Sequence, residues 1–127
     1  MKVLRNLMLC VTLFSALALP TVTYAQFVTG HDLKIGADAA DRIRAGTATV
    51  GQETDYGHAR EFLGYIQGYH DTIGNLIHCF PSRVNVSQLA AVVTNYLRDH
   101  PEQWSDPGSD IIRAAMYQAF PCPESSP

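Results

Sequence analysis

Nowhere in the sequence does an apolar run reach the roughly 20 residues that a bilayer span requires. The longest, Leu7 to Leu19, stops at Pro20. Lys2 and Arg5 precede it and Thr23-Tyr24-Ala25 closes it, so residues 1–25 read as a secretory signal peptide cleaved after Ala25. Cys10 lies inside that run behind the bulky Leu9, unlike a lipoprotein cysteine, and leaves with the signal. No membrane contact is expected of the mature chain. Basic residues are scarce too. Of nine Lys and Arg, two fall in the signal and no acid does, leaving seven against twelve Asp and Glu, a mature net charge of −5. That balance argues against nucleic acid as a partner.

Internal repeats, low-complexity blocks and strict strand-like alternation are also missing, which points to an all-α fold. The mature chain has room for one hydrophobic core, so residues 26–122 read as a single domain. The polar, proline-bounded tail, residues 123–127, reads as disordered. Cysteine is sparse as well: the mature chain holds only Cys79 and Cys122, and in an oxidising compartment two cysteines have one possible pairing. A Cys79–Cys122 disulfide is expected, worth about 4 kcal/mol in the chain-entropy treatment.

What the sequence does contain is helical periodicity. A first helix spans about Asp32 to Ala45, with Leu33, Ile35, Ala39, Ala40 and Ile43 as its apolar stripe and Gly36 weakening it. Residues 46–54, GTATVGQET, read as a loop. The second helix runs from about Asp55 to Ile77, its stripe formed by Ala59, Phe62, Leu63, Ile66, Tyr69, Ile73, Leu76 and Ile77. Asn85-Val86-Ser87-Gln88 has the form of a capping box opening a third helix, which carries Leu89, Val92, Val93, Tyr96 and Leu97 and stops before Pro101. Asp106-Pro107 opens the fourth, with Ile112, Ala115, Met116 and Ala119 inward. The expectation is a small four-helix domain with one disulfide.

Chemistry-bearing patterns are weak. His31, His58, His70, His78 and His100 lack the three- or four-residue spacing that would align them on one helix face, so no metal and no cofactor are expected. The serines lie in turns or caps, and both cysteines are oxidised, so neither supplies a nucleophile. His70 and Asp71 are neighbours on a helix and should point about 100° apart, not form a dyad. No catalytic residue is assigned, and binding is favoured over enzymatic activity.

The unusual stretch is residues 64–71, GYIQGYHD. An interior Gly costs a helix about 0.8–1 kcal/mol relative to Ala, and Gly64 and Gly68 fall opposite the apolar stripe, together with Asp71. Their small-xxx-small spacing suits close approach of another helix, of this domain or of a second chain, with Asp71 available to a helix N-terminus or an Arg. Trp104 is the other isolated feature. It is either an interface anchor or a lid folded over the core edge.

GYIQGYHD, Cys79-Phe80-Pro81, Asn85-Val86-Ser87-Gln88, the run VVTNYLRDHPE from Val92 to Glu102, and Ala119-Phe120-Pro121-Cys122 together resemble the Rap/Tai family of immunity proteins. The resemblance covers about the last two-thirds of the mature chain. It implies a small, helical, disulfide-containing periplasmic protein, typically a homodimer, that binds a peptidoglycan amidase effector delivered by a type VI secretion system. In such complexes the immunity protein occludes the amidase active site, and a loop between helices supplies much of the plug. Carried onto this chain, Ser82 and Arg83, and Gln103, Trp104 and Ser105, are the candidate effector-binding residues. Members often carry a further cysteine pair, one cysteine lying just before the GYI motif. This chain has Phe62 and Leu63 there, so a bridge to the first helix is missing. A periplasmic acid-stress chaperone, exposing apolar helix faces as carboxylates and histidines protonate, is the rival expectation.

Overall fold

The protein is described here by a computed structural model covering residues 28–48 and 53–123. The signal peptide, its cleavage site and residues 124–127 of the tail lie outside the described residues. Four helices follow in order: α1 (Gly30–Arg44), α2 (Glu53–Tyr69), α3 (Val86–Asp99) and α4 (Gly108–Ala119). A π-helical segment, His70–Gly74, and a final turn, Asn75–Ile77, prolong α2. Among the described residues there is no strand, only an isolated bridge between Thr29 and Pro107.

α1 starts two residues earlier than the apolar pattern suggests because its cap is Thr29. The Thr29 hydroxyl accepts from the Asp32 backbone N–H, and the Asp32 carboxylate accepts from the Thr29 N–H at 2.8 Å. This reciprocal box satisfies two backbone donors that a helix start otherwise leaves open. At the other end Gly46 takes a φ of 68°, the left-handed conformation that closes helices and that glycine adopts without strain. The inner face is Leu33, Gly36 and Ala37, while Ile35, expected in the stripe, stays 46% exposed.

Gly36 does not weaken α1; it seats it. A Cβ at that position would lie 2.5 Å from Phe62 Cβ and 2.8 Å from the His58 carbonyl oxygen. Only glycine lets the two helices cross this closely. The side chain that fills the notch is Phe62, which is 3% exposed and stands where the resemblance places a cysteine. Steric interlock therefore holds α1 against α2 at this position. At the far end of the crossing, the Arg42 guanidinium donates through Nε at 2.9 Å and through Nη2 at 2.6 Å to the two oxygens of the buried Asp55. Such bidentate pairing fixes geometry as well as charge.

The stripe on α2 holds through the buried Ala59, Phe62 and Ile66, with Leu63 and Tyr69 half-buried against the core, and fails beyond Tyr69. A π turn takes one residue more than an α turn, so the face beyond it rotates by about 100°. Ile73 and Leu76, expected inward, are 45% and 80% exposed, and Gly74 is buried in their place against the Phe80 ring. Two features follow the expected pattern more closely. Asn85 and Gln88 form the reciprocal cap of α3, each side-chain bond at 3.0 Å, and the helix ends at Asp99, ahead of Pro101. α4 opens one residue late, with Pro107 as its cap, and buries Ile111, Ile112, Ala115 and Met116, whereas Ala119 faces outward. The core collects Leu33, Phe62, Ile66, Leu89, Val93, Leu97, Ile112 and Met116 from all four helices. The Cys79–Cys122 disulfide is formed, with Cα atoms 5.0 Å apart, tying the end of α2 to the end of α4.

Candidate functional site

Two of the expected surfaces are loops, and the fold separates them. Ser82 and Arg83 form an exposed turn closed by the Val84 N–H donating to the Pro81 carbonyl at 3.1 Å. Gln103, Trp104 and Ser105 sit at the opposite end of α3, whose fourteen residues span about 20 Å. The two loops do not form one continuous patch. Trp104 has the geometry of a lid: its indole N–H donates to the Leu97 carbonyl at 2.8 Å, and its ring packs against the core. His31 meets the ring edge-on at 5.5 Å and the Lys34 ammonium stands 5.3 Å from its centre. Its own carbonyl accepts from the His31 N–H at 2.8 Å, so the connection is fastened to the start of α1. Gln103 accepts from the Tyr96 hydroxyl at 3.0 Å.

The glycine face of α2 is open. A Cβ added at Gly64 or Gly68 would meet nothing within 4 Å, so no helix among the described residues packs there. Tyr65, Tyr69 and Thr72 border a shallow furrow over them. Among the described residues Asp71 bonds neither a helix N-terminus nor an Arg; its carboxylate lies 3.0 Å from His70 Nδ1. These neighbours reach each other within the π segment, contrary to the divergence expected on a regular helix. The same local widening leaves the Gly68 carbonyl to accept from the Thr72 hydroxyl at 2.6 Å.

Sequence reasoning missed a histidine-centred aromatic cluster beside the disulfide. His78 is 6% exposed. Tyr117 meets its ring edge-on at 4.7 Å, Phe80 lies at 5.4 Å, and Phe120 packs on Phe80 at 5.1 Å. Tyr69 Oη lies 2.9 Å from His78 Nε2, while the buried Nδ1 has no hydrogen-bond partner among the described residues. Burial, with a smaller contribution from Arg113, holds the His78 pKa below its ordinary value. Burial likewise raises Tyr69. The only sequence signal was four aromatics and two histidines flanking the two cysteines. Among the described residues no three His, Cys, Asp or Glu side chains converge as a metal site requires.

A second feature escaped the sequence because its two walls come from different helices. A groove of about 380 Å³ runs between α1 and α2, with Val28, Leu33, Ile35 and Tyr65 as its apolar lining and Asp32, Glu61 and His58 as its polar groups. Thr29, by donating from both its backbone N–H and its hydroxyl, lowers the pKa of Asp32 and keeps its carboxylate charged. The groove adjoins the Trp104 connection through His31 and Val28.

The model of a family described as Rap1a immunity proteins matches residues 29–122 of this chain. No curated protein and no solved structure matches it. No helix among the described residues is long and apolar enough to cross a membrane.

Proposed function

Because this chain belongs to the Rap1a immunity protein family, we propose that it is a periplasmic protein that binds a peptidoglycan amidase delivered by type VI secretion and blocks it by occluding its active site. The family match across residues 29–122 carries this reading. The disulfide supports it, since such bonds persist in oxidising compartments. Export follows from a signal peptide over residues 1–25 removed after Ala25, leaving the helical domain at 26–122. The protein acts by binding, without catalysis and without a cofactor. It works as a homodimer, for which the open furrow over Gly64 and Gly68, bordered by Thr72 next to Asp71 in sequence, offers a face on which a second helix can lie closely.

The deciding experiment is titration of the purified protein against the amidase encoded beside its gene, paired with survival of a deletion strain under attack. Tight binding with inhibition, and loss of survival on deletion, are expected. No binding together with unchanged survival would sink the reading.

One observation favours a second reading, an acid-stress chaperone: His78 is buried in its neutral form, so acid loosens the aromatic cluster next to the exposed Ile73 and Leu76. A chaperone suppresses aggregation of an unrelated client only after acidification. An immunity protein shows no such gain.

A further inference from the structure

We propose that the groove between α1 and α2 is the effector's docking site, and that it takes an apolar side chain of the effector flanked by a lysine or arginine. The inference rests on the immunity reading above and adds the surface and the chemistry of the partner. The groove has an apolar floor of Val28, Leu33 and Tyr65, with Ile35 46% exposed at its edge. An isoleucine left this open on a helix that buries Leu33, Gly36 and Ala37 has no place in the core of the described residues. The charges on the rim are of one sign. Asp32 and Glu61 line the groove, and among the described residues no Lys or Arg does.

Asp32 is held ionised by Thr29, and Glu61 is exposed, its nearest ionisable partner being His58 Nδ1 at 3.9 Å. A cation entering beside an apolar side chain would meet both carboxylates while its neighbour fills the floor. The matching partner has a basic docking face, and an acidic inhibitor gains both steering and specificity from such a field. The expected mature net charge of −5 has the complementary sign. The start of α1 that walls the groove is also fastened to Trp104, whose carbonyl accepts from the His31 N–H.

The test is calorimetric titration of the co-encoded amidase with the full mature chain and three variants: Ile35→Ser for the apolar floor, Glu61→Lys for the charge, and Glu61→Gln as a milder charge change that keeps size. All three alter exposed side chains, so helicity and thermal midpoint should match the wild type. Ile35→Ser and Glu61→Lys should each weaken binding about tenfold, Glu61→Gln less, and Glu61→Lys should flatten the salt dependence of the affinity. A loss of less than fivefold in either Ile35→Ser or Glu61→Lys overturns the proposal. Unchanged affinity with a shifted monomer–dimer balance would instead place a second copy in the groove. Unchanged affinity with a lowered thermal midpoint would place the chain's own residues preceding Val28 there. A wild-type chain that binds no co-encoded effector overturns the immunity reading itself; wild-type binding with unaffected variants overturns the groove alone.

Discussion

The two halves of the second helix carry the same residue types and meet opposite fates. From Glu53 to Ile66 the helix is gripped: Gly36 of α1 lies on Phe62, Arg42 holds Asp55, and Ala59, Phe62 and Ile66 are buried. From Gln67 to Ile77 it is largely uncovered, with Gly68 facing open space, Ile73 and Leu76 in solvent, and the Cys79–Cys122 bridge securing its end. Glycine in α1 marks an interlock, whereas glycine in the distal half of α2 marks a vacant face. What a small residue means is decided by the distance to the nearest other element, which spacing along the chain does not encode.

Removing the covalent anchor should affect the distal half most. Cys79→Ser with Cys122→Ser opens a loop of 43 residues and should cost about 4 kcal/mol, read as a lower denaturant midpoint. Hydrogen exchange should then rise in residues 67–77 before it rises in the α1–α2 crossing. Equal rises in both halves would erase the contrast. Next in size is Gly36→Ala, whose methyl group would press on Phe62 and on the His58 backbone; a loss of about 2–3 kcal/mol is expected. Gly68→Ala should run the other way, raising the thermal midpoint by the equivalent of at most about 1 kcal/mol, because it removes helix-weakening glycine where nothing collides. If both substitutions destabilise the monomer equally, the distal face is covered after all. Gly68→Leu sharpens the point: monomer stability should be kept, and any dimer built on that face should be lost.

The smallest expected effect is one of pH. A histidine whose folded pKa is depressed binds fewer protons folded than unfolded once the pH falls below its ordinary 6.5. His78 therefore contributes stability that is fully present above that value and is lost as the pH drops toward its folded value. Thermal midpoints measured from pH 7.5 down to 5.5 should decline, and His78→Leu should flatten the decline. The fall should begin in the disulfide end, among Tyr69, Phe80 and Tyr117, and not at the Gly36 crossing.

Features written in a few adjacent residues could be read from the sequence. The Asn85–Gln88 box, the stop before Pro101 and the pairing of the two cysteines each depend on local chemistry or on a single combinatorial choice. The four helices were legible for the same reason. What was not legible depends on the third dimension or on phase. The π turn at His70–Gly74 rotates everything after it, and no composition signal announces it, so Ile73 and Leu76 read as core. The groove draws Val28, Asp32 and Ile35 from one helix region and His58, Glu61 and Tyr65 from another, about thirty residues apart, and only the crossing brings them together. In sequence Trp104 fits an anchor or a lid equally, because its partner, the Leu97 carbonyl, is a backbone atom that any residue would supply.

The bridge also sets an order of events. Cys122 follows Cys79 by 43 residues, and at roughly 5 to 20 residues per second of synthesis that is several seconds. During that interval α1 and α2 already have every residue of their interlock, while Cys79 waits as a lone thiol. Because the described chain offers it one partner, no wrong pairing has to be undone once Cys122 arrives. Maturation should need an oxidant but no disulfide isomerase, and a nascent chain halted before Cys122 should, once residues 1–25 with Cys10 are removed, carry one thiol that an alkylating reagent can count.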